Sequence, residues 1–219
     1  MLADEQPDEI WCLGDLVGYG ANPNECCHWT ARRAHVCLAG NHDLGVLGTI
    51  GIDDFSPDAS AAALWTRRVL TGEVAAYLRG LSSTATRAGV GLYHASPLDP
   101  VWHYVLSVDD AVASLAEAGE GVVLVGHTHV PTLAGEHVFR WGADLDEFEV
   151  DLATGPLLIN PGSVGQPRDG DPRAAWLVLD LDARRAFFRR TPYDVAGAQA
   201  AIHAEGLPDA LAERLARGL

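Results

Sequence analysis

Val122-Val123-Leu124-Val125-Gly126-His127-Thr128-His129 is the stretch on which both fold and chemistry turn. Four apolar, mostly β-branched residues bounded by glycine read as a strand buried on both faces. The run ends in two histidines one residue apart. On extended backbone, residues i and i+2 point the same way, so this reading puts both imidazoles on one face, each able to hold a metal ion.

Three other apolar runs end alike. Glu9 to Leu13 precedes Gly14-Asp15, His35 to Ala39 precedes Gly40-Asn41-His42-Asp43, and Val90 to Tyr93 precedes His94-Ala95-Ser96. A lone aspartate after a strand is ordinarily a turn or cap residue. Four strand ends with the same chemistry are a constellation. In α/β folds ligands bind outside the carboxyl ends of strands. A mixed set of carboxylate, amide and imidazole donors suits Mn, Fe, Zn, Ni or Co better than calcium. Glycine before Asp15, Asn41 and His127 suits a backbone that turns sharply or approaches a ligand closely.

Helical segments separate these strands. Asn24 to Arg33 reads as a helix entered after Asn22-Pro23. Pro57 to Gly80 is largely helical, with Ala61, Leu64, Trp65, Val69 and Leu70 as the apolar stripe and Arg67 and Arg68 facing out. Val108 to Ala118 is a helix stopped by Gly119 and Gly121. The second half reads as strands joined by tight turns: Val138 to Trp141, Phe148 to Leu152, Leu157 to Asn160, Ala175 to Leu181 and Arg185 to Arg190. Val195 to His203 and Pro208 to Arg217 close the chain as helices. The expected fold class is α/β (α+β), a single domain over residues 1–219 with two packed sheets flanked by helices, the second sheet more antiparallel.

The chain has 219 residues and a formal charge of −15, and every basic side chain is arginine. That acidity argues against a nucleic-acid-binding surface. It is compatible with a small phosphorylated substrate, because bound cations reverse the local field. No apolar run approaches the ~20 residues of a membrane helix, and the acidic stretch from Met1 to Glu9 does not read as a signal peptide. Cys12, Cys26, Cys27 and Cys37 lack paired C-x-x-C spacing, which points to a reduced, cytoplasmic setting rather than a cysteine zinc site.

The ordered set Gly14-Asp15-Leu16-Val17-Gly18-Tyr19-Gly20, Gly40-Asn41-His42-Asp43, His94-Ala95-Ser96-Pro97 and Gly126-His127-Thr128-His129 resembles the calcineurin-like metallophosphoesterases, specifically their small bacterial and archaeal phosphodiesterase branch. Asn160-Pro161-Gly162-Ser163-Val164-Gly165-Gln166-Pro167-Arg168 matches that branch too. The resemblance implies an αββα sandwich and two divalent metal ions bridged by Asp15. Asn41, His94 and His127 would complete one metal site, and His129 would belong to the other. His42 would serve the leaving oxygen as general acid or charge stabiliser, with Asp43 orienting its ring. The implied reaction is hydrolysis of a phosphodiester or phosphomonoester by metal-bound hydroxide. A non-catalytic scaffold on the same fold is the alternative.

Two departures from the family pattern bear on this. The family opens with a strand and an Asp-x-His motif that this sequence lacks. The first strand and helix therefore read as truncated, the first metal site as incomplete, and activity as impaired. The intact downstream set favours a start assigned inside a longer protein over a degenerate relative. Related phosphatases also carry Asp-Arg where this chain has Gly18-Tyr19, which favours a small ester over a phosphoprotein. Arg168 is a candidate substrate-binding residue, and Trp102-His103-Tyr104 a candidate pocket rim.

Overall fold

The computed structural model describes residues 5–219; Met1 to Asp4, the beginning of the acidic stretch, lie outside them. The elements in chain order are β1 (Trp11–Cys12), α1 (Pro23–Arg33), β2 (Val36–Cys37), α2 (Asn41–Leu47), α3 (Pro57–Val69), α4 (Gly72–Arg79), β3 (Thr84–Arg87), β4 (Val90–Tyr93), α5 (Val108–Ala118), β5 (Val122–Val125), β6 (Thr132–Gly135), β7 (Val138–Trp141), β8 (Glu149–Asp151), β9 (Leu157–Asn160), β10 (Ala174–Asp180), β11 (Arg185–Thr191), α6 (Val195–Ala204) and α7 (Asp209–Glu213).

Three sheets form. A six-stranded mixed sheet runs β3-β4-β5-β9-β6-β7, an antiparallel three-stranded sheet runs β10-β11-β8, and β1 pairs with β2 in parallel. Alternation within β5 and β9 explains the main layers. Leu124, Leu157 and Ile159 share a core with Val150, Ala186 and Phe188 of the three-stranded sheet. Val123, Val125 and Leu158 face the other way and pack on Ala111 and Leu115 of α5. Each central strand is thus buried on both sides, as its unbroken apolar run indicates.

The division of the chain into two sheets by halves is corrected. β6, β7 and β9 of the second half join the first half's β3, β4 and β5. Parallel pairing of β5 with β9 carries the chain across. Two strands had no apolar signature: Thr84-Ala85-Thr86-Arg87 and Thr132-Leu133-Ala134-Gly135 are recruited by pairing rather than by their own pattern.

Helix ends follow local chemistry. Ser107 caps α5 by accepting the Asp110 N–H, and Gly119, at φ 78°, ends it. The long helical stretch from Pro57 breaks at Leu70-Thr71, where Thr71 accepts the Val74 N–H and starts α4. The apolar stripe expected on α3 is rotated. Ala62, Ala63, Trp65 and Thr66 are buried, whereas Leu64 is 42% exposed and Val69 is 37% exposed. The physical reason is two-sided packing. Ala63 joins the cluster with Val46, Val74 and Leu78, while Ala62 and Trp65 join Ile202, Leu207 and Leu211. Small alanines permit that close approach, and Arg67 also reaches back to cap α2 through the Gly45 and Val46 carbonyls.

Asp169 anchors the 160–170 loop to β11 through Arg190, their side chains only 1% and 3% exposed. Breaking a buried pair strands the remaining charge at a cost of about 3–5 kcal/mol. We expect Asp169→Ala to lower the urea midpoint accordingly, with Asp169→Leu/Arg190→Met recovering part of the loss.

Candidate metal centre

Asp15 stands just beyond β1, and Asn41 opens α2 just beyond β2. His94 follows β4, and His127 and His129 follow β5. Their side chains meet. His94 Nε2 lies 3.2 Å from Asn41 Oδ1 and 3.5 Å from Asp15 Oδ1. His129 Nε2 lies 3.5 Å from the other oxygen, Asp15 Oδ2. Asp15, His94 and His127 each offer a ligand atom within 4.8 Å of the others.

The donor chemistry fits a cation. His94 Nδ1 lies 2.7 Å from the Leu13 carbonyl and His129 Nδ1 lies 2.9 Å from the Gln166 carbonyl. A carbonyl only accepts, so both Nδ1 atoms carry the proton and both Nε2 atoms turn lone pairs inward. His94, Asn41 and Asp15 then present three acceptors to one point with no hydrogen between them. His127 Nε2 is buried without a hydrogen-bond partner. Such groups persist together where a metal satisfies them.

Electrostatics agree. Burial lowers His127 to about 3, helped by the neighbouring His94, and burial also lowers His129. Both are therefore neutral at pH 7, the form that ligates. Burial acts to raise Asp15, while protonated His94 and His129 would lower it below the usual range, so the carboxylate calls for positive charge at the point the two imidazoles face.

The extended-strand reading of His127 and His129 is corrected. β5 ends at Val125, and both histidines sit in the left-handed region at φ 61°; Asp15 does too, at φ 56°. Three candidate ligands in a region that side chains disfavour are held by their surroundings. Asn160, at the end of β9, donates to the Gly126 carbonyl (2.5 Å) and Thr128 Oγ1 (2.9 Å) and pins the histidine loop. The histidines diverge: His127 meets His94 edge-on and lies against Tyr104, while His129 faces Asp15 and Gln166.

The expectation that Asp43 orients the His42 ring is also corrected. Its carboxylate accepts the backbone N–H groups of Asp15 (2.9 Å), Val17 (3.1 Å) and Gly40 (2.8 Å). Asp43 is the acidic residue in the first turn of α2, and it staples that turn to the Asp15 loop. Burial and the nearby Asp15 charge push its carboxyl up. His42 is held by ring contacts instead. It stacks on Tyr19 at 3.8 Å and on Phe55 at 4.4 Å, and burial lowers it to about 4.

Tyr19 is the residue whose role escaped sequence reading. Its hydroxyl lies 3.5 Å from Asp15 Oδ2 and accepts from Arg168 Nη2 at 3.1 Å. Arg168 also donates to Gln166 Oε1 at 2.9 Å and lies over the Tyr19 ring. The Gly18-Tyr19 departure was its only sequence signal. Trp102 meets Phe55 edge-on, and Tyr104 covers the His127 ring at 3.9 Å. His103 instead bonds to Ser96 Oγ.

The model of the calcineurin-like phosphoesterase superfamily domain matches residues 1–184. The chain belongs to that superfamily. A metallophosphoesterase from Sphaerobacter thermophilus has a similar structure, with a TM-score of 0.90 and 37% identity over 100% of this chain and 91% of that one. An uncharacterized protein of Methanocaldococcus jannaschii is 37% identical over 216 residues, 96% of this chain and 86% of the relative. A hypothetical protein of Pyrococcus horikoshii shares the fold, with a TM-score of 0.78 at 20% identity over 100% of this chain and 89% of that one. Superfamily membership makes this a metal-dependent phosphoesterase domain in general terms, and Asp15, His94 and His127 are its possible metal-binding cluster. Among the described residues no helix is long and apolar enough to cross a membrane, and all four cysteines are free thiols.

Proposed function

We propose that this phosphoesterase hydrolyses a small phosphodiester or phosphomonoester with two divalent cations at the Asp15 centre. The observation that carries the reading is the split carboxylate: Oδ1 of Asp15 faces His94 and Oδ2 faces His129. A carboxylate between two separate imidazole donors is built to bridge. Asp15, Asn41, His94 and His127 would hold one cation, and Asp15 and His129 would hold the other. The N/O donor set suits Mn, Fe, Zn, Ni or Co. When bound, such a pair supplies charge neutralisation at the phosphoryl group and a nucleophile at neutral pH.

The chain's own residues do the rest. Arg168, fixed by Tyr19 and Gln166, grips a non-bridging phosphate oxygen with a forked donor. Its hydrogen-bond partners there are neutral acceptors, so its charge is available to substrate. His42, neutral at pH 7 because burial lowers it, donates a hydrogen bond to the leaving oxygen. Its rotation is restricted by Tyr19 and Phe55, which limits the entropy lost on reaction. Asp43 keeps the Asp15 and His42 backbones in register.

A cation at His129 would have two protein ligands, Asp15 and His129, among the described residues, so it would be the weaker-held one. Activity of this chain is accordingly expected to be low at stoichiometric metal and to rise with excess Mn²⁺. Hydrolysis of bis(p-nitrophenyl) phosphate, abolished by EDTA and restored by Mn²⁺, tests the reading. Two bound cations with no turnover of any phosphate ester would overturn it and favour an interaction protein.

A further inference from the structure

One side of the metal centre is polar, formed by Tyr19 and Arg168. The loop between His94 and α5 also reaches the centre, where Tyr104 packs on His127 and Trp102 meets Phe55, the ring that stacks on His42. Leu98 is 45% exposed, Tyr104 is 44% exposed and Leu106 is 59% exposed, with Trp102 half-buried between them in sequence. Of these, Tyr104 is the exposed ring that packs on a candidate ligand, and an exposed aromatic group beside a reactive centre marks a binding surface.

The loop is tied together by its own hydrogen bonds despite that exposure. Ser96 Oγ bonds to His103 Nδ1 at 2.8 Å and accepts the Leu98 and Asp99 N–H groups. Asp99 Oδ1 accepts the N–H groups of Val101 and Trp102. Val105 is buried in the core under α5. The aromatic groups are therefore presented by a hydrogen-bonded scaffold. Tyr104 lies against the His127 ring with centroids 3.9 Å apart, while much of its surface stays open to solvent. An ester held at the metal centre puts its substituent within reach of that surface.

We propose that Tyr104 forms a subsite for a planar apolar substituent on the phosphate ester, and so selects aryl-type or heteroaromatic esters over small alkyl ones. This rests on the phosphoesterase reading above. Position carries the choice of occupant: Tyr104 touches a candidate metal ligand, and Arg168, held by Tyr19, takes the phosphate charge. Stacking and burial of one ring are worth about a tenfold gain in affinity.

The test is calorimetric binding of phenylphosphonate and methylphosphonate to the Mn²⁺-loaded protein. Wild type is expected to bind phenylphosphonate about tenfold more tightly. In Tyr104→Ala the two affinities converge, through loss of phenylphosphonate binding alone, and Tyr104→Phe retains the preference. For bis(p-nitrophenyl) phosphate, Tyr104→Ala raises KM by a larger factor than it lowers kcat, whereas Tyr104→Phe restores KM. An unchanged Tm shows that the exposed substitution leaves the fold intact. Equal affinity in wild type, or a preference that survives Tyr104→Ala, overturns the subsite. Phenylphosphonate preference without hydrolysis of any ester leaves the subsite standing and removes the hydrolase reading.

Discussion

Asp15→Asn is expected to lower turnover of bis(p-nitrophenyl) phosphate by about 10³-fold or more, at an almost unchanged Tm in the absence of metal. The two carboxylate oxygens face His94 and His129, so removing the charge weakens both cation positions at once. Asparagine keeps an oxygen to accept the His42 N–H, which now reaches Asp15 Oδ1 at 3.1 Å. It is also among the side chains most tolerant of the left-handed backbone at this position. The fold therefore survives while the site is emptied. The direct readout is thermal stabilisation by Mn²⁺, expected in wild type and absent in the variant. A variant that keeps both the Mn²⁺-dependent shift and the turnover would remove Asp15 from the centre.

Gly40→Ala should be as damaging, for a different reason. Gly40 has φ −91°, so alanine is conformationally acceptable there. The difficulty is space. A Cβ would stand 2.0 Å from Asp15 Oδ1, 2.6 Å from the Asp15 nitrogen and 2.6 Å from His94 Cε1. Two of those atoms belong to the candidate ligands, and the third is backbone, so relief requires the β1 and β2 loops to separate. Overpacking of this kind costs about 1–3 kcal/mol, a loss of several degrees in Tm, and it pushes the ligands apart. Gly20→Ala is the matched control, because nothing lies within 4 Å of a Cβ there. Loss of Mn²⁺ stabilisation in Gly40→Ala but not in Gly20→Ala is the expected result. Wild-type Mn²⁺ response in Gly40→Ala would contradict the close contact of the two loops.

The sequence made much of this visible because hydrophobic burial is written locally. The runs Val122 to Val125 and Leu157 to Asn160 became doubly buried strands, and α5 spans Val108–Ala118 and ends at Gly119 as expected. The polar residue after each run was legible for the same reason: parallel neighbours deliver their carboxyl ends together, β1 with β2 in one sheet and β4 with β5 in another. Asp15, Asn41, His94, His127 and His129 do converge. Less legible were the residues whose partners are distant. α2 was hidden because its first turn is made of site residues, and Asp43 read as a partner for a ring rather than for three backbone amides. Tyr19 and Arg168 are 149 positions apart, and only their hydrogen bond reveals them as one unit.

By itself the sequence determined which segments are buried and which donor atoms follow them, since composition and spacing are properties of the chain. Only the tertiary structure decided which way those donors point. The left-handed backbone at Asp15, His127 and His129 is unfavourable locally and persists through contacts with Asp43, Asn160 and Gln166 from elsewhere. Orientation of a side chain held against its own preference is a property of its neighbours, and neighbours distant along the chain are chosen by folding.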